Sequence, residues 1–249
     1  MEAFVTTGLV LKETRYKESD RILTILTPEL GVISAAAQSS LRLKSKLFSA
    51  CGLFCYSEFT LVPGRNMYTV REAEVKNVFH GISSSIEGMS LAMYMAEMAM
   101  TLSPTGQEAQ RELRLLLNCF YMISESKTDL RVIKAVFELR LMCLAGYEPD
   151  LSCCTQCGAA KPDEPWFSPR GGAVYCAQCR GASSSAVTPL LPETLAAMRH
   201  IVNADPKKIF SFTLGDAGRR QLAHVCEDYT ATQLERGFAS LDYWKKVKD

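Results

Sequence analysis

Histidine is scarce in this chain, with 3 in 249 residues, and so are the local patterns on which catalysis is commonly built. There is no GxxxxGK run followed by Ser or Thr, no GxGxxG fingerprint, no GxSxG elbow and no HExxH helix. That set of absences argues against the nucleotide-binding, hydrolase and metalloprotease chemistries which those motifs position. His80, His200 and His224 stand alone on partly apolar segments, where a lone imidazole is more often a structural residue than a base or ligand. The acidic residues form no paired arrangement of the kind a metal-dependent nuclease uses. The chain is therefore read as non-enzymatic.

An excess of one charge is missing too. Lys and Arg number 28 against 27 Asp and Glu, a net +1, so no global basic field announces a nucleic-acid binder and any such footprint must be local. Long apolar runs are absent. The opening MEAFVTTGLV has no basic flank leading into one, and the stretch from Met89 to Met100 is short and interrupted by Glu97. Neither secretion nor membrane insertion is expected, and a cytoplasmic location follows. Hydrophobic residues at 47% and charged residues at 22% are ordinary for a globular protein, so the chain should fold throughout, as at least two domains.

What the sequence does contain changes character along its length. Residues 4–12, 21–26, 31–38, 53–62 and 67–75 are β-like runs, separated by Pro28-Glu29-Leu30-Gly31 and Val62-Pro63-Gly64-Arg65-Asn66, which suit turns. The strand count and size predict a five-stranded OB-type barrel over 1–80, with an SH3-like barrel nearly as good on pattern alone. After Gly88 the period becomes helical. Leu113, Leu116, Leu117 and Phe120 mark one amphipathic helix, and 130–144 predicts another, capped by Thr128 and Asp129 and ended by Gly146 and Pro149. Its apolar residues cover most of the circumference, so it should be central to a helical core. Helical signals resume at Pro192 and again around Leu222, Val225, Cys226 and Tyr229. The expected fold is α+β and multidomain: the barrel, then an all-α domain built from 81–149 and 188–249, with a cysteine-rich module over 150–187 inserted between its helices.

Of 10 cysteines, Cys51, Cys55, Cys119, Cys143 and Cys226 are scattered through apolar patterns that suit small buried thiols, which suggests a reducing compartment. Cys154-x2-Cys157 and Cys176-x2-Cys179 have two-knuckle zinc spacing. Gly158 and Gly181 offer permissive backbone after each pair, and 166–168 with 173–175 read as a hairpin returning the second knuckle to the first. Four thiolates complete a tetrahedral ion, so one structural Zn2+ is expected, with no open position for substrate. Cys153 with Cys157 is the alternative register.

Between Lys12 and Lys46 the basic residues Lys12, Arg15, Lys17, Arg21, Arg42, Lys44 and Lys46 outnumber Glu13, Glu18, Asp20 and Glu29. The alternation in Arg42-Leu43-Lys44-Ser45-Lys46 can set several cations along one side of an extended loop facing a phosphate chain. A solvated loop is the plainer reading. Phe4, Tyr16, Phe54, Tyr56, Phe59 and Tyr68 are either stacking platforms or core.

Several segments together resemble the RecO family of bacterial recombination mediators. They are Gly8-Leu9-Val10-Leu11-Lys12, Glu18-Ser19-Asp20-Arg21-Ile22-Leu23-Thr24-Ile25-Leu26-Thr27, the run from Ala135 to Met142 with Ala145-Gly146-Tyr147-Glu148-Pro149-Asp150-Leu151 leading into the first knuckle, and Leu234-Glu235-Arg236 with Ser240-Leu241-Asp242. The resemblance implies an OB barrel, a helical domain and a zinc insertion. It further implies binding of single- and double-stranded DNA, annealing of strands coated by single-strand-binding protein, and work with RecR to load RecA, in the bacterial cytoplasm at the nucleoid.

By position, Arg42, Lys44 and Lys46 match the family's basic loop, with Arg15, Lys17 and Arg21 as further DNA contacts. Gln38-Ser39-Ser40-Leu41 departs from the family's more basic lead into that loop. Arg111, Arg114, Arg131, Lys134 and Arg140 are candidates to hold the C-terminal tail of single-strand-binding protein, each with an ordinary exposed helix face as the alternative. A zinc-stabilised adaptor that binds only proteins is the competing function.

Overall fold

The computed structural model describes residues 2–248, with side chains through residue 247. Two compact units emerge, one from residues 1–126 with 238–249 and one from residues 127–237.

The first unit holds a closed barrel of β1 (Phe4–Tyr16), β2 (Asp20–Thr27), β3 (Gly31–Ala37), β4 (Cys55–Val62) and β5 (Tyr68–Val78), in the order β1-β2-β3-β5-β4. The β1–β2, β1–β4, β2–β3 and β4–β5 pairs are antiparallel, while β3 and β5 pair in parallel. That order is the OB topology, and it decides between the two barrels which the pattern alone left open. Inward positions alternate along each strand, and Val10, Leu23, Ile25, Ile33, Phe59, Leu61 and Val70 fill the interior. α1 (Leu47–Ala50) lies between β3 and β4.

Helices α2 (Ile86–Leu102), α3 (Gln110–Glu125) and α7 (Ala239–Lys248) belong to the same unit. Phe54, Phe79 and Phe120 meet edge to face, with Phe54 and Phe120 centroids 5.0 Å apart. Tyr94 of α2 packs on Phe238 at 5.6 Å. Gly31 is needed where it stands: its φ is +64°, and a Cβ there would come within 1.9 Å of the Pro104 carbonyl oxygen. The Val32 N–H uses that close approach to donate to Pro104 O at 2.9 Å.

The second unit is built on α4 (Leu130–Leu144), with α5 (Pro192–Asn203) and α6 (Asp216–Leu234) packed against it. Asp129 caps α4 by accepting the Arg131 N–H, and Gly146, at φ +93°, turns the chain out of it. Ile133, Val136, Phe137, Leu139 and Met142 are fully buried, as a helix apolar around most of its surface requires. Strands β6 (Asp150–Cys154), β7 (Pro165–Ser168), β8 (Ala173–Cys176) and β9 (Thr188–Pro189) form a small sheet in the order β6-β8-β7-β9. Phe167 packs on Tyr229 of α6 at 5.6 Å, and the Tyr229 hydroxyl donates to Tyr147 O. Of the helices, α2, α3 and α7 belong to the first unit, and α4, α5 and α6 to the second with the cysteine-bearing sheet.

Candidate metal centre and basic loops

The parallel pairing of β6 with β8 brings Cys154 and Cys176, the last residues of the two strands, to one end of the small sheet. Each strand then makes a tight turn. Gly158 N–H donates to Cys154 O at 2.8 Å and Cys179 N–H to Cys176 O at 3.0 Å, which returns Cys157 and Cys179 to the same point. Gly158 takes a φ of +75°, the conformation expected of it, whereas Gly181 lies in a short 3-10 turn at Arg180–Ala182 without a positive φ. The hairpin expected at 166–175 is present, with Ser168 paired to Ala173 across Pro169–Gly172.

The four sulfurs lie within 4.8 Å of one another, and Cys157 Sγ is 3.9 Å from Cys176 Sγ. A tetrahedral ion with bonds of about 2.3 Å sets its sulfurs about 3.8 Å apart, so the cluster can hold one metal ion. Cys153 is outside it, which fixes the register on Cys154. The Cys176 N–H points at Cys154 Sγ at 3.3 Å. Burial alone would raise the Cys154 thiol, but backbone N–H groups of Cys157, Cys176 and Gln156 outweigh it and bring it down to about 6. Cys179 is pushed up to about 12, chiefly by its contact with Cys176. For all four to be thiolates together, a cation would have to lie among them.

Arg199 of α5 holds the knuckle from behind, its guanidinium donating to the carbonyls of Leu151, Ser152 and Ala160 at 2.6, 3.0 and 3.0 Å. No sequence pattern marks this role, because the partners lie about 40 residues upstream and are backbone atoms. Cys51, Cys55, Cys119 and Cys226 are buried, as small apolar side chains are.

In the first unit, the β1–β2 turn and the loop from β3 to α1 are joined by two hydrogen bonds. Ser39 N–H donates to Asp20 Oδ1 at 2.7 Å and Leu41 N–H to Ser19 O at 2.9 Å. The bonds bring the chain around Arg15 and Lys17 to the chain around Arg42, Lys44 and Lys46. All five cations are exposed, and none has a salt bridge among the described residues. Lys46 also borders a groove of about 390 Å³ that carries Arg71 beside Glu58, Glu72 and Glu74, so its surroundings are mixed in charge.

Arg21 has a different place from the one expected. It is only 7% exposed, pairs with Glu13 at 3.4 Å, donates to Phe48 O and Cys51 O, and lies over the Phe48 ring. It fastens α1 to the barrel and presents little to solvent. Arg65, exposed in the β4–β5 connection, was not singled out by the sequence; the signal is its position, since OB folds use the β1–β2 and β4–β5 loops on nucleic acid.

The tail candidates divide between the units. Arg111 and Arg114, three residues apart on α3, are exposed. In the second unit Arg131 is gripped by Asp129 and Asp216, and Arg140 caps α5 by donating to Ile201 O, Val202 O and Ala204 O. Lys134 is 1% exposed and sits between Glu138 at 2.8 Å and Glu227 at 2.9 Å. Burial disfavours its charge, but the two carboxylates prevail and raise its pKa. These three cations are committed to internal partners.

The chain combines an OB barrel carrying a cationic loop cluster with a helical unit carrying a four-thiol centre, and family comparison makes the class specific. Residues 1–79 match the family model described as recombination protein O N terminal, and residues 83–242 match recombination protein O C terminal. The chain belongs to the RecO family. It is 34% identical over 247 residues to the DNA repair protein RecO of Acetivibrio thermocellus, covering 99% of this chain and 98% of the relative. It is 30% identical over 243 residues to that of Alkaliphilus metalliredigens, covering 97% and 98%. No helix among the described residues is long and apolar enough to cross a membrane.

Proposed function

We propose that this chain is a non-catalytic mediator of DNA repair and recombination. It binds single- and double-stranded DNA, anneals complementary strands coated by single-strand-binding protein and, with RecR, helps load RecA. The observation that carries this reading is the joined loop cluster, where Arg15, Lys17, Arg42, Lys44 and Lys46 are all exposed and without salt bridges among the described residues. Cations without carboxylate partners release counterions when they meet phosphate, and they do so for any sequence. Annealing needs no bond making. Neutralising two strands and holding them side by side lets base pairing do the rest.

The metal is one structural Zn2+. Four sulfur donors at tetrahedral spacing suit zinc and leave no coordination position for a reactant, and the small sheet has little core of its own without it. Metal analysis of protein purified without chelator is expected to give about one zinc per chain; a content near zero would remove the assignment. Arg111 and Arg114 are the cations with room to meet the acidic tail of single-strand-binding protein. The working location is the bacterial cytoplasm, at the nucleoid.

The test is annealing of complementary strands coated by single-strand-binding protein, with and without RecR, beside direct binding to a bare strand across salt concentrations. If about four phosphates are neutralised, log K for a single strand should fall with log salt at a slope of about −3. A chain that anneals nothing and binds no DNA at low salt is instead an adaptor for proteins.

A further inference from the structure

Leu43 is 85% exposed, more than any other large apolar side chain among the described residues, and it stands between Arg42 and Lys44. Hydration of a leucine held out on an ordered loop is unfavourable relative to burial, and nothing in its own unit covers it. Tyr16 is 49% exposed. It pairs across strands with Asp20, so both side chains lie on the same face of the ribbon. The Asp20 carboxylate on that face receives the Ser39 N–H of the loop that carries Leu43. One apolar and one aromatic group are thus held in one loop cluster with exposed cations on either side of each; Arg15 and Lys17 flank Tyr16, and the Lys17 ammonium lies 5.3 Å from its ring centroid while about half of the tyrosine stays open to solvent.

We infer that Tyr16 and Leu43 contact the faces of unpaired bases, so that this surface favours single strands over duplex. The inference rests on the DNA-binding reading of the same loops. Charge complementarity selects the occupant: a polymer that meets Arg15, Lys17, Arg42 and Lys44 with phosphate can offer an apolar face to Tyr16 and Leu43 only where its bases are unstacked. In a duplex those faces are covered by neighbouring base pairs, and the phosphates alone are accessible. The cations therefore serve both forms of DNA, whereas the two apolar groups serve one.

The experiment compares full-length wild type, Leu43→Ser, Tyr16→Ser with Leu43→Ser, and Leu43→Trp on an oligo-dT strand and on a duplex of equal length, at several salt concentrations. The double variant should lose at least about fivefold on the single strand, the low end for one stacked base. Duplex affinity should stay within about twofold and the salt slope should not change, since every phosphate-facing cation is still in place. Leu43→Trp should bind the single strand more tightly, with tryptophan emission quenched by oligo-dT and unaffected by duplex. Leu43→Ser alone, at so exposed a position, keeps the question answerable if the Tyr16 change disturbs β1. Equal losses on both forms, or no loss on either, would overturn the inference. Changing Arg42, Lys44 and Lys46 together to Ala separates the two levels. A weakened variant with a shallower slope supports the loop surface whatever Leu43 does, and an unchanged one removes the surface and this inference with it.

Discussion

Basic side chains on the barrel loops and those along α4 are alike in sequence, and the fold uses them in opposite ways. At the end of β1 and on the loops that follow β1 and β3, Arg15, Lys17, Arg42, Lys44 and Lys46 extend into solvent without salt bridges among the described residues. On α4, Arg131 is held by Asp129 and Asp216, Lys134 by Glu138 and Glu227, and Arg140 by the last carbonyls of α5. The difference lies in what surrounds each cation. A lysine on a buried helix must bring a carboxylate with it or lose its charge, while a lysine on an exposed loop keeps its charge and its freedom to meet a ligand. Basic residues left open to a ligand and basic residues that hold the core are thus told apart by burial.

The contrast is broken most directly at Lys134. Lys134→Ala removes the ammonium that sits between Glu138, which is fully buried, and Glu227. We expect a loss of about 3–5 kcal/mol in urea unfolding, the usual effect of removing one partner of a buried pair. Lys134→Met combined with Glu138→Leu should recover most of it, because the remaining Glu227 carboxylate is 22% exposed and can stay hydrated. A single Ala variant as stable as wild type would place Lys134 with the loop cations.

Arg21 belongs by sequence to the loop set and by burial to the core set. Arg21→Ala removes its bonds to Phe48 O and Cys51 O and its pairing with Glu13. A loss of about 1.5–3 kcal/mol is expected, as for other hydrogen bonds to charged groups. DNA affinity should fall only to the extent that the loop after β3 loosens, so the salt dependence is informative: the slope should match wild type. A normal stability with a reduced slope would return Arg21 to the direct DNA contacts.

Much of this organisation was legible before the fold was known, wherever the signal is local. The ends of α4 fell at the expected residues because Asp129 and Gly146 are caps whose chemistry acts within one turn. The four metal-site cysteines were legible for the same reason, since a knuckle is a spacing of two residues. β1 runs on to Tyr16, beyond the expected end at residue 12, because Lys12 to Tyr16 are exposed and carry no apolar alternation while their backbone still pairs with β2. The packing of α7 on α2 was not legible, because it depends on Phe238 finding Tyr94, a contact between residues far apart in the chain. Arg21, Lys134 and Arg199 were misread or unnoticed on the same ground: their partners are distant in sequence, and for Arg21 and Arg199 they are largely backbone carbonyls.

A smaller effect is expected from Asp129. The Arg131 guanidinium hydrogen-bonded to it, helped by the Arg131 backbone N–H, holds its carboxyl below the usual range despite partial burial. A depressed folded pKa contributes stability that is present above the unfolded value of about 3.9 and is lost as pH falls through the folded one. Asp129→Asn keeps the cap but removes the charge. The variant should be slightly less stable at pH 7 and should lose less than wild type as pH falls below about 4, in unfolding curves recorded from pH 7 to pH 2. Parallel curves for the two proteins across that range would show that the Arg131 pairing adds nothing.

The smallest effect on stability belongs to the loop cations themselves. Changing Arg42, Lys44 and Lys46 together to Ala should move unfolding by no more than about 0.5 kcal/mol, as for surface positions away from any internal partner. The same variant should bind a single strand more weakly and with a shallower salt slope, by about 0.7 for each phosphate no longer neutralised. That pairing of an unmoved unfolding curve with a changed salt slope is the reverse of what Lys134→Ala should show. A loop variant that unfolds more easily would mean that these side chains hold structure after all, and exposure would then no longer distinguish the binding cations from the structural ones.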